Sequence, residues 1–299
     1  MDGKDSNSRS REEEELRAKY GLQPVWTAIG EIYKEFARIC DKYSLRYYAS
    51  GGTALGAIRH KGFIPWDDDI DIMLPRNDYE KFLEIALKEL PSHLKIVNRH
   101  NTPEFNMLFS KIQDCRRERV EAVEKQIGRV IPGGLFLDFY PMDGFPEGFH
   151  LLWTKFRYLM LDLLWHYRCC KYKELSSKGR VAFILGCLLS PFAHRLKDAS
   201  QLTAAYDAIL KENLYEESVY VADIGCYRSV FIQPKMETAF FKDRLPLKFE
   251  GYVMMVPRDI DAYCRNKFGD RYMQIPPELS RKSTHNSIER SPWWLGPTR

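Results

Sequence analysis

The feature that most restricts this chain lies between Tyr48 and Pro75, YASGGTALGAIRHKGFIPWDDDIDIMLP. Aspartate alternates there with isoleucine, shortly after a Gly-Gly turn. In a β-strand alternate residues share a face, so Asp69 and Asp71 project together while Ile70 and Ile72 enter a core. A solvated acidic loop would not need that alternation. Two carboxylates held side by side repel each other, and a protein keeps them together at low cost when a cation sits between them. Hard oxygen donors of this kind suit Mg²⁺ or Mn²⁺. The calcium-loop alternative fails: counted from Asp67, its obligatory glycine falls on Ile72 and its bidentate glutamate on Asp78.

The glycine pair narrows the reading further. A β-prone run, Leu45 to Ala49, leads into Ser50-Gly51-Gly52, and Thr53 to Arg59 reads as a short helix. The exposed backbone N–H groups of such a helix start, with the Thr53 hydroxyl, can hold a phosphate. The segment is not a P-loop, because Ala57-Ile58 stands where Lys-Ser/Thr is required, and G-x-G-x-x-G is absent. Strand, Gly-Gly turn, helix and a D-x-D strand together form the signature of a nucleotidyltransferase fold.

The rest of the chain is consistent with an α/β protein. Val25, Ile29, Ile32, Phe36, Ile39, Cys40 and Tyr43 recur at helical spacing after Pro24. Strands are expected over Asp68–Leu74, Leu94–Val97, Phe105–Ile112 and Leu135–Tyr140. A helix starting at Asn77 or Asp78 runs to about Leu90. Phe149 to Asn213 is mostly helical in pattern, Thr238 to Val256 is β-like, and Pro257 opens a helix through Phe268. The expected organisation is a charged, disordered tail over 1–20, then a catalytic core over 21–145. That core would be a mixed sheet with flanking helices. A mostly helical region over 146–299 would follow, its C-terminal segment packed back on the core.

Composition excludes several classes. With 45 basic and 41 acidic side chains, the net charge of +4 does not point to nucleic acid as a partner. Seven scattered cysteines without C-x-x-C form no disulfide framework, and Cys169-Cys170 lacks a second ligand pair at zinc spacing. The N-terminus has no apolar signal core. The apolar run Val181–Ser190 is too short to span a bilayer, and Leu151–Trp165 is interrupted by Lys155, Arg157 and Asp162. Both fit buried or membrane-surface helices. The expected location is the cytoplasm, with the inner face of the membrane as a place of peripheral contact.

The stretch GGTALGAIRHKGFIPWDDDIDI closely resembles the LicD family of phosphotransferases, which includes choline-phosphate transferases and fukutin-type ribitol-phosphate transferases. FSKIQD (Phe109–Asp114), LFLDFYPMDGFP (Leu135–Pro146), FEGYVMMVP and YCRNKFGDRYMQIPP resemble further family motifs, so the likeness runs from about residue 25 to 282. It implies metal carboxylates at Asp69, Asp71 and Asp138. Alternation in LFLDFY independently places Asp138 on one face with Phe136 and Tyr140. Asp143 reads as a turn residue, and Asp67 and Asp68 as residues that orient the loop.

The resemblance implies a donor diphosphate bound by Gly51, Gly52 and Thr53, with Arg59 as first and Lys111 as second cationic contact. His60 would position the loop. Tyr48, Trp66 and Tyr140 are candidates for a cation–π contact with a choline head group, with core packing as the alternative for each. The implied reaction is attack by a glycan or glycolipid hydroxyl on the distal phosphate of a CDP-alcohol, CDP-choline foremost, with release of CMP. Two alternatives stand beside it, the first with the same carboxylates and the second weighed against by them. One is nucleotidyl transfer from an NTP with loss of pyrophosphate, and the other a binding module that has lost activity.

Overall fold

In the computed structural model, residues 11–102, 105–118, 134–222 and 235–281 are described. Two helices open the chain, α1 (Arg11–Tyr20) and α2 (Gln23–Lys42). Pro24 sits in the first turn of α2, where a missing N–H costs no helical bond. Of the predicted apolar stripe, Ile29, Ile32, Phe36, Ile39 and Cys40 are buried, while Val25 is partly buried and Tyr43, just past the helix, is exposed; the Phe36 ring meets Phe82 at 4.7 Å and Phe139 at 6.1 Å.

A mixed sheet carries the site. Its strands are β1 (Tyr48–Ala49), β2 (Asp71–Pro75), β3 (Leu94–Val97), β4 (Ser110–Glu118) and β5 (Gly134–Gly144), in the order β1-β2-β5-β4-β3. Helix α3 (Gly51–His60) joins β1 to β2, and α4 (Arg76–Glu89) follows β2 directly. Only β2 and β5 run parallel; the other pairs on this path are antiparallel. Central β5 is buried along its whole length. Its neighbours bring Asp71 opposite Asp138 from one side and Lys111 opposite Asp138 from the other. This sheet with its flanking helices is the α/β architecture expected from the sequence.

Helices α5 (Gly148–Cys169), α6 (Ser177–Leu189) and α7 (Ala199–Lys211) follow β5. A second core of Tyr158, Leu161 and Trp165 from α5 against Leu202 and Tyr206 from α7 holds α5 and α7 together. Short strands β6 (Tyr220–Ala222) and β7 (Met236–Glu237) extend the sheet from the end of β5. A hairpin of β8 (Arg244–Phe249) and β9 (Tyr252–Pro257) precedes α8 (Ile260–Phe268), whose N-terminus is capped by Asp259. Met254, Val256 and Tyr263 belong to the same core as α2 and the main sheet, and the Tyr33 hydroxyl donates to the Val253 carbonyl at 2.7 Å.

Three expectations change. The segment 11–20, assigned to a disordered tail, is a helix. Arg17 of α1 donates to the Phe63 carbonyl and to Glu250 at 2.6 Å, and stacks on Trp26. Phe63 and Glu250 lie far away in sequence, so local composition gave no sign of them. Residues 1–10 lie outside the described residues. The strand expected over Phe105–Ile112 begins only at Ser110; Phe105 and Leu108 are apolar because they are buried, not because they are extended. Asp143 is not a turn residue but the penultimate residue of β5, and it is completely buried.

Candidate active site

The first residue of β2 is fastened to the turn before α3. Ser50 N–H donates to the Asp71 carbonyl, and Asp71 N–H donates to Thr53 Oγ1, both at 2.9 Å. Two glycines make this junction possible. Gly51 has a φ of 49°, a left-handed conformation that favours glycine, and its N–H donates to the Tyr263 hydroxyl. At Gly52 a Cβ would come within 2.5 Å of the Asp67 carboxylate. The turn therefore admits the acidic loop because it lacks side chains there.

The strand expected from Asp68 begins only at Asp71, so the alternation applies to its first residues alone. Ile70 and Ile72 are buried in the core, and Asp71 is half-buried. Asp69 lies just before β2, and the Ile70 carbonyl accepts a hydrogen bond from Asp138 N–H at 3.0 Å. Burial, then the charges of Asp69 and Asp138, push the Asp71 carboxyl well above its ordinary value; Tyr140 and Lys267 oppose this. The three carboxylates are thus close enough to perturb one another. Even so, among the described residues no three His, Cys, Asp or Glu side chains form a ready-made metal cage.

Tyr140 and Lys111 complete the cluster. The Tyr140 hydroxyl donates to Asp71 Oδ1 at 3.1 Å and to Asp138 Oδ2 at 3.4 Å, and its ring packs on Phe109 at 4.7 Å. Lys111 Nζ lies 3.3 Å from Asp138 Oδ1 and over the Phe136 ring. Chemically, this is an acidic centre with hard oxygen donors, a buried ammonium beside it and the N-terminus of α3 next to Asp71.

Other predicted residues are placed elsewhere. Arg59 donates to the carbonyls of Tyr272 at 2.8 Å and Gln274 at 3.3 Å, and to His60 Nε2. His60 is buried, with Nδ1 3.1 Å from Glu13 of α1, and so braces the loop. Trp66 is buried between Tyr20, His60 and Arg281. The Tyr48 hydroxyl donates to the Phe241 carbonyl, and its ring packs against Phe241. Of the three aromatic candidates, Tyr140 is the one bonded to the carboxylates.

Sequence reasoning missed Tyr263 and Lys267, which α8 brings to Gly51 and Asp71. Both lie in the stretch YCRNKFGDRYMQIPP, which was noticed as a motif without any of its residues being assigned to the site. Cys40, Cys115, Cys187 and Cys264 are free thiols, and Cys226 lies outside the described residues.

A turn and helix start beside alternating carboxylates on a mixed sheet, with a third carboxylate on the adjoining parallel strand, define a nucleotidyltransferase-type transferase. Residues 44–126 match the family described as LicD/FKTN/FKRP, nucleotidyltransferase domain. Over 261 residues the chain is 30% identical to the lipopolysaccharide cholinephosphotransferase LicD of Haemophilus influenzae, covering 85% of this chain and 92% of that one. Shorter matches reach uncharacterised proteins of Rickettsia typhi, 38% identical over 22% of each chain, and of Rickettsia prowazekii, 40% identical over 20% of this chain and 21% of that one. The chain belongs to the LicD family and is a transferase of phosphate-containing groups.

Proposed function

We propose that this enzyme moves phosphocholine from CDP-choline to a sugar hydroxyl of a lipopolysaccharide or related glycan or glycolipid precursor, releasing CMP. The observation that carries this reading is the Asp69, Asp71, Asp138, Lys111 and Tyr140 cluster, in a chain similar over nearly its whole length to a lipopolysaccharide cholinephosphotransferase.

The donor set fits a hard divalent cation, because three mutually repelling carboxylates are what such a charge stabilises. Asp69, Asp71 and Asp138 would hold Mg²⁺ or Mn²⁺, which when bound offsets the charge of a diphosphate and of the transferring phosphoryl group. Lys111 supplies a fixed positive charge to a donor phosphate oxygen. Gly52 and Thr53 offer it the positive end of α3. Asp138 accepts the proton of the attacking hydroxyl, and Tyr140 orients Asp138 and Asp71 through its hydroxyl. Arg59 holds the C-terminal segment through Tyr272 and Gln274, so Lys111 becomes the first phosphate contact in this reading.

The test incubates the purified enzyme and Mg²⁺ with a lipopolysaccharide acceptor and, in turn, CDP-choline, CDP-ribitol, CDP-glycerol or an NTP. CMP release with choline incorporated, abolished by chelation and restored by Mg²⁺, is the expected result. Pyrophosphate from an NTP, with no reaction of any CDP-alcohol, would refute it.

A further inference from the structure

The hairpin of α5 and α6 leaves a large apolar face uncovered. Of the 21 exposed large hydrophobic residues among those described, eleven fall between Phe149 and Phe192. On α5, Leu152, Phe156, Leu159 and Leu163 follow one another at spacings of three and four and so form one stripe. At its C-terminal end this stripe is covered. Gly186 of α6 approaches so closely that a Cβ would overlap the Leu163 carbonyl, and Phe183 packs on Tyr167 at 5.3 Å. At its N-terminal end the same stripe runs on into solvent, with Phe149 80% exposed.

Helix α6 continues the face. From Val181 to Leu189 it carries no charged residue, yet of its thirteen residues only Gly179 and Gly186 are buried. Leu188 is 68% exposed and Phe192, just beyond the helix, 84%. A helix apolar all round is ordinarily enclosed. The described residues do not enclose this one. Among the described residues no helix is long and apolar enough to cross a bilayer, so this face would meet an apolar phase from the side.

Charge identifies the occupant. Residues 149–197 contain nine Lys and Arg against two Asp and Glu, a net of +7 in a chain whose total is +4, so the remainder carries −3. Lys178 and Arg180 at the start of α6, and Arg195 and Lys197 after it, are all exposed. Two copies of such a face repel each other, whereas an anionic lipid surface attracts it. We propose that the α5–α6 hairpin docks the enzyme on an anionic bilayer, with Leu152, Phe156 and Leu188 entering the headgroup–acyl boundary and the flanking lysines and arginines meeting lipid phosphates. The inference stands apart from the reaction assignment, because docking involves neither donor nor acceptor.

Vesicle co-sedimentation of the full chain tests it. The protein should pellet with mixed phosphatidylglycerol–phosphatidylcholine vesicles, and lose this with phosphatidylcholine alone or at about 0.5 M salt. The double variants Phe156→Glu/Leu188→Glu and Lys178→Glu/Arg180→Glu should each weaken binding roughly tenfold or more, with unchanged thermal unfolding. Wild-type protein that stays in the supernatant with anionic vesicles, or equal binding by both variants, overturns the proposal. So does a wild-type dimer that Phe156→Glu/Leu188→Glu converts to monomer, which would make the face a self-interface.

Discussion

The Arg76–Asp143 pair allows stability and catalysis to be separated. The Arg76 guanidinium grips both oxygens of Asp143, at 2.7 and 2.6 Å, and reaches Asp207 of α7 at 3.1 Å. Asp143 is 0% exposed, so Arg76→Met would strand a carboxylate in the interior. Asp207 would be spared, because Arg99 at 2.8 Å and Lys211 at 3.0 Å also hold it. Breaking one side of such a pair costs about 3–5 kcal/mol, which for a chain of this size lowers Tm by roughly 5–8 °C.

The pH dependence of the variant follows from the same burial. Burial pushes the Asp143 carboxyl up, and Arg76 pulls it back down. With Arg76 gone, the folded-state pKa rises further above the unfolded value. The deficit is then greatest above that folded pKa, and shrinks as pH falls through it and the carboxyl takes a proton. Replacing both partners, Arg76→Met with Asp143→Leu, should cost less than Arg76→Met alone. Catalysis should be little affected, since Pro75 and Met142 pair at the far end of the β2–β5 register from Asp71 and Asp138. The Asp71–Asp138 and Arg76–Asp143 positions are about 17 Å apart along the strands. Differential scanning calorimetry across pH, with turnover measured well below Tm, reads all of this. A loss in Arg76→Met below about 1 kcal/mol, or a double variant worse than the single, would refute the reasoning.

Further outcomes concern the acidic centre. Asp71→Asn removes one of three repelling carboxylates, so it should leave Tm unchanged or raised while turnover falls roughly 10³-fold. A fall in both would mean that Asp71 is structural. Lys111→Met leaves Asp138 without the ammonium 3.3 Å away and should raise KM for the donor roughly tenfold or more, measured by CMP release. Gly52→Ala would push the Asp67 carboxylate aside, and should lower turnover more than it lowers Tm.

Much of the site was legible because its logic is local. Period-two alternation placed Ile70 and Ile72 inward and Asp69 and Asp71 outward, and the same rule in LFLDFY put Asp138 and Tyr140 on one face. Asp143 was misread because Met-Asp-Gly resembles a turn, and its partner Arg76 lies 67 residues away in sequence. Trp66 and Tyr48 looked available as ligand contacts, but helix α1 and residue Phe241, both remote in sequence, cover them.

The sequence by itself determined the α/β class, the Gly-Gly turn and the carboxylate pair, since each depends on spacing over a few residues, while the third aspartate came from the family resemblance with alternation in its support. Only the tertiary structure decided which cations lie near the carboxylates. Strand pairing set Lys111 beside Asp138, while packing of the C-terminal segment drew Arg59 to the carbonyls of Tyr272 and Gln274 and brought Lys267 toward Asp71. A long cationic side chain can serve several partners from one backbone position, and the partner it takes depends on what the rest of the chain packs around it.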